Sequence, residues 1–270
     1  MRTSNRLFAL PVLLAAGVLA VALPAFAQQP RNPCREESSR SDRATHCEVR
    51  NVQVAIGGDA LRVDASPNGG IAVHGWNRQE VQLEAKVVAT ADTMEQARSL
   101  VGQVRVLTDG GRVRAEGPRT EDGSGWSVSF DLMAPGQGNL DLQTRNGGIT
   151  IEDVEGRLTF RTTNGGIRLK NVNGDVRGST TNGGVSVELA GGGWRGEGLD
   201  VETTNGGVKM AVADGYSARL EATTRNGGVR SDIAVVVQAG DERTLNADLG
   251  GGGATVRLRT VNGGIHVARK

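Results

Sequence analysis

The chain has 270 residues, with 31 Lys and Arg against 30 Asp and Glu, so its net charge at pH 7 is +1. This balance gives no reason to expect nucleic acid or an acidic membrane surface as a partner. Glycine contributes 40 residues and aromatic residues only 3%, whereas an ordinary globular core of this length carries more large aromatic side chains. The glycines follow no G-X-Y period, which excludes collagen. Glycine tied to a longer period is typical of a turn-rich repeat.

Residues 1–27 have the pattern of a secretory signal peptide. Arg2 and Arg6 supply the positive start, residues 7–23 are mainly apolar, and Ala25-Phe26-Ala27 has the small-x-small pattern that a signal peptidase recognises. We therefore expect a mature chain that starts at Gln28 and is exported to the periplasm, the cell surface or the medium. No later stretch is apolar enough to predict a transmembrane segment.

The polar segment 28–48 contains both cysteines of the chain. In an oxidising compartment such a pair forms a disulfide, and a metal site would need more ligands than the nearby His46. We predict a structural disulfide between Cys34 and Cys47. Because the loop that it closes is short and polar, it would tie down the N-terminal segment rather than hold a core.

The part from 49 to 139 consists mainly of strand-like segments in which apolar and polar residues alternate. The pattern changes at residues 92–101, where Asp92 or Thr93 can cap a helix, Glu95 lies in its first turn and apolar residues follow at helical spacing. We predict one continuous β-structure with a short helix near 92–101 that covers a face or an edge. A separate N-terminal β-sandwich-like domain is the alternative.

The triplet Asn-Gly-Gly recurs through residues 140–270, after an early copy at Asn68. The six later copies begin at Asn146, Asn164, Asn182, Asn205, Asn226 and Asn262, at spacings of 18, 18, 23, 21 and 36 residues. A Thr stands two residues before each of the six, and Ile or Val stands three residues after it. The apolar positions around the triplet alternate with polar ones, which predicts strands with one buried face.

Each copy predicts a strand, an Asn-Gly-Gly turn, a second strand and a second turn. We predict an all-β fold, a repeat β-solenoid in which coils of about 18–23 residues stack in parallel on one another in sequence order. Stacking like on like explains why Thr and Asn recur at identical positions, where their side chains would form hydrogen-bond ladders. An antiparallel β-meander or sandwich is the alternative, because Asn-Gly between alternating segments is also a strong hairpin signal.

Three stretches carry a family pattern in their order and spacing. They are the segment 68–81, the strand-then-proline step 128–135, and the Leu-x-Leu-x-Thr-x-Asn-Gly-Gly-Ile units, best seen at 140–151. Together they resemble the putative-adhesin family of bacterial β-strand-repeat proteins of unknown function, over most of residues 49–270. The resemblance implies a role at the cell surface or in the envelope. It implies no particular ligand and no catalytic residues.

The sequence contains no common zinc, nucleophile-elbow or phosphate-loop motif, and we predict neither a metal nor another cofactor. His74 and His266 each follow an Asn-Gly-Gly turn and are predicted to face solvent. An enzyme that acts on polysaccharide is an alternative because Asp200 and Glu221 would lie on adjacent coils. Glycoside hydrolysis needs two acids at a defined separation, and adjacency alone does not supply it, so we predict no enzyme.

Two features favour ligand binding. The residues four positions after each Asn would form a mildly basic, solvent-facing stripe suited to anionic glycans or lipid headgroups: Thr150, Arg168, Ser186, Lys209, Arg230 and His266. The enlarged coil between Asn182 and Asn205 contains Trp194 and Arg195, and an exposed Trp stacks well on a sugar ring. The alternatives are an ordinary charged outer face and a Trp194 that folds back over the coil edge.

The functional hypothesis is therefore an exported, adhesin-like binding or scaffold protein of the envelope or cell surface. We expect it to contact a glycan or another envelope polymer through Arg168, Lys209, Arg230, Trp194 and Arg195. The alternatives are the polysaccharide-acting β-helix enzyme and a structural, envelope-stress-linked protein without a small ligand. A protein partner in the envelope is compatible with the binding or scaffold hypothesis and with the structural alternative.

Overall fold

The computed structural model describes Cys34 and residues 43–55, 57, 59–120, 123–233 and 242–270. These residues belong to one compact unit, Pro33–Lys270. The predicted signal peptide lies outside the described residues.

The described residues contain twenty strands and one helix. The elements before the regular repeats are β1 (Ala44–Val54), β2 (Leu61–Asp64), β3 (Ile71–Trp76), β4 (Val81–Ala91), α1 (Met94–Gln103), β5 (Arg105–Asp109), β6 (Arg112–Glu116) and β7 (Gly125–Pro135). The strands that follow are β8 (Leu140–Gln143), β9 (Ile149–Glu152), β10 (Glu155–Asn164), β11 (Ile167–Lys170), β12 (Asn173–Asn182), β13 (Val185–Leu189), β14 (Gly198–Asn205), β15 (Val208–Val212), β16 (Ala218–Asn226), β17 (Val229–Ser231), β18 (Thr244–Leu249), β19 (Thr255–Asn262) and β20 (Ile265–Arg269).

The strands form two ten-stranded sheets. Sheet I has the order β1-β4-β7-β3-β9-β11-β13-β15-β20-β17, and sheet II has the order β18-β16-β19-β14-β12-β10-β8-β2-β6-β5. Each Asn-Gly-Gly turn carries the chain from sheet II to sheet I. Successive copies pair in parallel and in register, so that Leu158 lies beside Leu140 and Val176. Hairpins cannot produce parallel neighbours, so the predicted β-solenoid is confirmed and the antiparallel meander is wrong.

Both predicted side-chain positions of the turn are hydrogen-bonded between coils. The Asn182 side-chain amide donates to Asn164 Oδ1 at 2.8 Å and accepts from Asn205 Nδ2 at 2.9 Å, and the same bond links Asn68 to Asn146 at the start of the row. The threonines point inward, where each hydroxyl donates to the carbonyl of the first glycine of a neighbouring coil, as Thr162 does to Gly147 at 2.8 Å. The ladders hold every turn to its neighbours.

The core lies between the two sheets and is mainly aliphatic. Val, Ile and Leu alternate inward along each strand, as the period of two predicts. Phe160 fits into this thin core because the next coil has Gly178 beside it, where a β-carbon would lie 1.8 Å from the Phe160 ring. The absence of a side chain at Gly178 therefore provides the space that the Phe160 ring occupies.

The part before residue 140 shares both sheets with the repeats. β2 pairs with β8 and β3 pairs with β9, so the Asn68 copy is the first coil, and no separate N-terminal domain is found among the described residues. β7 continues sheet I by parallel pairing with β3, and β4 and then β1 extend the sheet beyond it by antiparallel pairing. Helix α1 packs against β1, β4 and β7 and buries Ala97 and Val101. It closes the core at this end of the solenoid.

Both ends of helix α1 are capped. Thr93 and Gln96 form a capping box at the N-terminus, which places the start two residues after the predicted one. At the C-terminus Arg50 of β1 donates to the carbonyls of Val101, at 2.9 Å, and Val104. The last turn contains no basic residue of its own, so Arg50 supplies the positive charge that a helix C-terminus favours.

The predicted disulfide is present. Cys34 is bonded to Cys47 on β1, with the two α-carbons 5.5 Å apart. β1 is the edge strand of sheet I. The bridge thus attaches the N-terminal segment to the edge of the sheet.

The last two coils are exchanged relative to the sequence, and the expected stacking in sequence order is wrong at this point. β19 pairs with β14 on one side and β16 on the other, and β20 lies between β15 and β17. The Asn262 coil follows the Asn226 coil in sequence, but in the solenoid it lies between the Asn205 coil and the Asn226 coil. The asparagine ladder runs accordingly from Asn205 to Asn262 and on to Asn226.

Candidate functional site

The outer face of sheet I carries two parallel rows of residues from the coils. In each strand the positions three and five residues after the Asn point into the core, so the second glycine and the residue four after the Asn point outward. The first row consists of the second glycines, in the strand order Gly70, Gly148, Gly166, Gly184, Gly207, Gly264 and Gly228. The second row is the predicted stripe.

Six of the second glycines form the floor of a groove that crosses the strands: Gly148, Gly166, Gly184, Gly207, Gly264 and Gly228. One part, lined from Gly148 to Lys209, has a volume of about 500 Å³. Its continuation has a volume of about 520 Å³ and shares Gly207 and Lys209 with the first part. The whole row of seven glycines spans six strand spacings, or about 29 Å. At one end the Ser129 hydroxyl accepts a hydrogen bond from the Gly70 amide at 3.1 Å.

The two glycines of each triplet are needed for different reasons. A β-carbon on the first, such as Gly183, would lie 2.1 Å from the Gly165 carbonyl oxygen, so no side chain fits there. A β-carbon on the second, such as Gly184, would lie 3.3 Å from the Gly207 carbonyl oxygen, which requires a shift of only a few tenths of an ångström. The sequence pattern by itself did not predict that the second glycines line a groove. The signal that could have indicated this row is the glycine that stands two residues after the Asn in all seven copies.

Three cations line the groove. Arg168, Lys209 and Arg230 are exposed on the outer face of sheet I. None of them forms an ion pair with another residue that the structure describes. His266 is also exposed, and its Nε2 lies 2.8 Å from Asp232 Oδ2. The structure thus brings together three of the five residues proposed for ligand binding, on one face and beside one groove.

The order of the stripe follows the exchanged coils. Along the strands β9, β11, β13, β15, β20 and β17 the residues are Thr150, Arg168, Ser186, Lys209, His266 and Arg230. In sequence order Lys209 and Arg230 would be neighbours. The inserted coil places His266 between them.

Trp194 and Arg195 lie elsewhere. Trp194 is only 8% exposed and belongs to the core, with its indole N–H donating to the Gly174 carbonyl at 3.1 Å. The exposed Trp194 that sugar stacking requires is therefore not found, because the enlarged coil folds back and fills the space between the sheets. Arg195 is held by Glu155 at 2.6 Å, and this hydrogen bond raises the pKa of Arg195.

Asp200 and Glu221 are not on adjacent strands. β19 separates them, and its Arg257 lies 2.7 Å from Glu221 Oε2 and 3.6 Å from Asp200 Oδ2. Arg259 of the same strand also pairs with Asp200 at 2.9 Å. The hydrogen bonds that Arg257 donates to Glu221 raise the pKa of Arg257. The adjacency on which the enzyme alternative depended is absent.

The other histidine of the sheet I face also has acidic neighbours. His74 Nδ1 lies 3.4 Å from Glu152 and its Nε2 lies 3.7 Å from Asp131. Within the described ranges, no group of three or more His, Cys, Asp or Glu has the arrangement of a metal site. In the same part of the chain, no helix combines the length and the apolar composition needed to cross a membrane.

The fold and the repeated turn define the class, a parallel β-solenoid with an asparagine ladder and a glycine-floored outer groove. A family model described as Toastrack DUF4097 matches residues 79–268. The chain belongs to this family, and the resemblance to the putative-adhesin family is confirmed. A comparison with curated proteins gave no match.

Among solved structures the chain is similar to several bacterial proteins. A putative cell adhesion protein from Clostridium sporogenes shares 11% identity, with 84% of this chain and 100% of that chain covered and a TM-score of 0.45. A putative adhesin from Bacteroides fragilis shares 9% identity, with 83% and 97% covered and a TM-score of 0.42. A putative lipid binding protein from Parabacteroides distasonis shares 8% identity, with 83% and 96% covered and a TM-score of 0.32.

Proposed function

We propose that this protein is an exported, adhesin-like binding module that holds an envelope or cell-surface polymer on the outer face of sheet I. The observation that carries the proposal is the row of three exposed cations without ion-pair partners among the described residues, set beside a continuous groove. A cation without an ion-pair partner has no salt bridge that must break before it contacts an anionic ligand.

The outer face of sheet II gives a contrast within the same molecule. There Arg257 and Arg259 are engaged by Asp200, Glu202 and Glu221. An anionic ligand would have to compete with these carboxylates. Sheet II also exposes Arg157 and Arg161, so what favours sheet I is the combination of unpaired cations with a groove floored by glycines.

Export is part of the proposal and has two supports. The sequence of residues 1–27 has the composition of a signal peptide. The Cys34–Cys47 disulfide is of a kind that persists in oxidising compartments such as the periplasm and the cell surface. We propose no catalytic activity, since Asp200 and Glu221 are both paired with Arg257.

The test is sedimentation of the purified protein with isolated envelope fractions. We expect saturable binding to one fraction, weakened by about tenfold or more in Lys209→Glu/Arg230→Glu, because two attractive charges become repulsive. The matched control is Arg157→Glu/Arg161→Glu, which makes the same charge change on the outer face of sheet II. Equal losses in both double variants, or no binding above that of an unrelated protein, would contradict the proposal.

A further inference from the structure

The cations of the sheet I groove recur at every second strand. In strand order Arg168 lies on β11, Lys209 on β15 and Arg230 on β17, and the strands between them carry Ser186 on β13 and His266 on β20. Ser186 is uncharged, and His266 has its own acidic partner in Asp232. The groove therefore alternates between a strand with an available cation and a strand without one.

Strand separation sets the period of this alternation. Neighbouring strands lie about 4.8 Å apart, so the three cations are spaced by about 9.6 Å. The floor beside them has the same regularity and no side chains, because each strand contributes a second glycine. A ligand that follows the groove meets the same backbone at every step and a positive charge at every other step.

The repeat of an extended polysaccharide matches this period. Each sugar of an extended chain with equatorial linkages advances by close to one strand spacing, so one acid in each disaccharide places a carboxylate at every second strand. An extended peptide advances about 3.3 Å per residue, and its side chains on one face are therefore about 6.6 Å apart, out of step with the cations. A floor without side chains also admits flat sugar rings along its whole length.

We propose that the groove binds a linear acidic polysaccharide with one carboxylate per disaccharide, which lies across the strands of sheet I with its carboxylates on Arg168, Lys209 and Arg230. The inference rests on the proposed function and specifies its ligand. The glycines Gly166 to Gly228 form the floor under the sugar rings. The charge spacing, and not the total charge, selects the polymer.

The test measures binding of a fluorescent hyaluronan octasaccharide, which has one carboxylate per disaccharide, by anisotropy at low salt. The informative variant is the exchange Ser186→Lys/Lys209→Ser, which keeps the net charge and moves the middle cation by one strand. We expect it to weaken binding by roughly threefold to fivefold, as much as Lys209→Gln, since each loses one exposed charge contact. Arg161→Gln on sheet II is the control and leaves the affinity unchanged. Thermal unfolding of each variant verifies that the fold is kept.

Each outcome discriminates. Unchanged hyaluronan binding by the exchange variant would overturn the spacing argument and leave the proposed function intact. Tighter binding of poly-L-glutamate than of hyaluronan would overturn the assignment to a polysaccharide. Hyaluronan bound no better than a neutral chitin oligosaccharide would overturn this inference, and the envelope sedimentation then decides the proposed function separately.

Discussion

The two glycines of one triplet provide a stringent test of the stacked coils. In Gly183→Ala the new β-carbon would lie 2.1 Å from the Gly165 carbonyl oxygen, whereas in Gly184→Ala it would lie 3.3 Å from the Gly207 carbonyl oxygen. The substitution is the same and the positions are adjacent. Any general effect of replacing glycine by alanine is therefore shared, and only the contact between coils differs.

The magnitude follows from the bonds between the two coils. Restoring a contact of 3.0 Å requires a separation of about 0.9 Å, which would break the bonds from Thr180 to Gly165, Asn182 to Asn164 and Gly165 to Asn182, now 2.8–3.0 Å long. At about 1 kcal/mol for each bond, Gly183→Ala loses about 3 kcal/mol of unfolding free energy. Gly184→Ala loses at most about 1 kcal/mol, because alanine also reduces the entropy of the unfolded chain.

The assay is chemical denaturation followed by circular dichroism, together with thermal unfolding. A difference of about 2–3 kcal/mol corresponds to a melting temperature lower by about 4–12 °C in Gly183→Ala than in Gly184→Ala for a chain of this size. If the two variants lose the same stability, the close approach of successive turns is not the reason that position 183 requires glycine, and the reasoning from parallel stacking is refuted.

Three further predictions concern other parts of the molecule. Trp194→Ala loses about 3 kcal/mol of unfolding free energy because a buried indole is removed. Hyaluronan binding by the folded fraction stays unchanged. Weakened binding by a variant as stable as the wild type would show instead that Trp194 contacts the ligand. Arg50→Met loses about 1–2 kcal/mol and speeds amide exchange in α1 before other regions, since two C-terminal carbonyls lose their donor; uniform exchange across the fold would contradict this role. Burial raises the pKa of Tyr216 from 10.0 to about 12, so between these pH values the folded protein keeps a proton that the unfolded chain loses. The unfolding free energy therefore falls by up to about 2–3 kcal/mol as the pH rises from 10 to 12. Tyr216→Phe removes this dependence of stability on pH, and a wild-type protein that lacks it would contradict the prediction.

The repeating unit could be predicted from the sequence because its determinants are local. Alternation of apolar and polar residues assigns Thr162 and Ile167 to the core and Arg168 to solvent, since successive side chains of a strand point to opposite faces. The recurrence of Asn at equivalent positions predicted its ladder, since identical side chains stack only when copies are parallel and in register. The capping residues near Thr93 located the helix to within two residues.

The functional surface depended on long-range order and was predicted only in part. The sequence identified Arg168, Lys209 and Arg230 as an outward row, and the structure places them beside one groove. It did not exclude Trp194, because whether an enlarged coil bulges outward or folds inward depends on the space between the sheets. Trp194 fills that space with an indole bound to Gly174.

The sequence by itself determined the coil, its turn and the inward or outward direction of each side chain, because a period of two and a row of Asn-Gly-Gly turns allow few conformations. Only the tertiary structure decided the order of the last two coils. An insertion of β19 and β20 between earlier strands leaves the local pattern unchanged, since every coil presents the same ladder to any neighbour. That order separates Asp200 from Glu221 by Arg257 and sets His266 between Lys209 and Arg230, so the spacing of charge on both faces is a property of the assembled sheets.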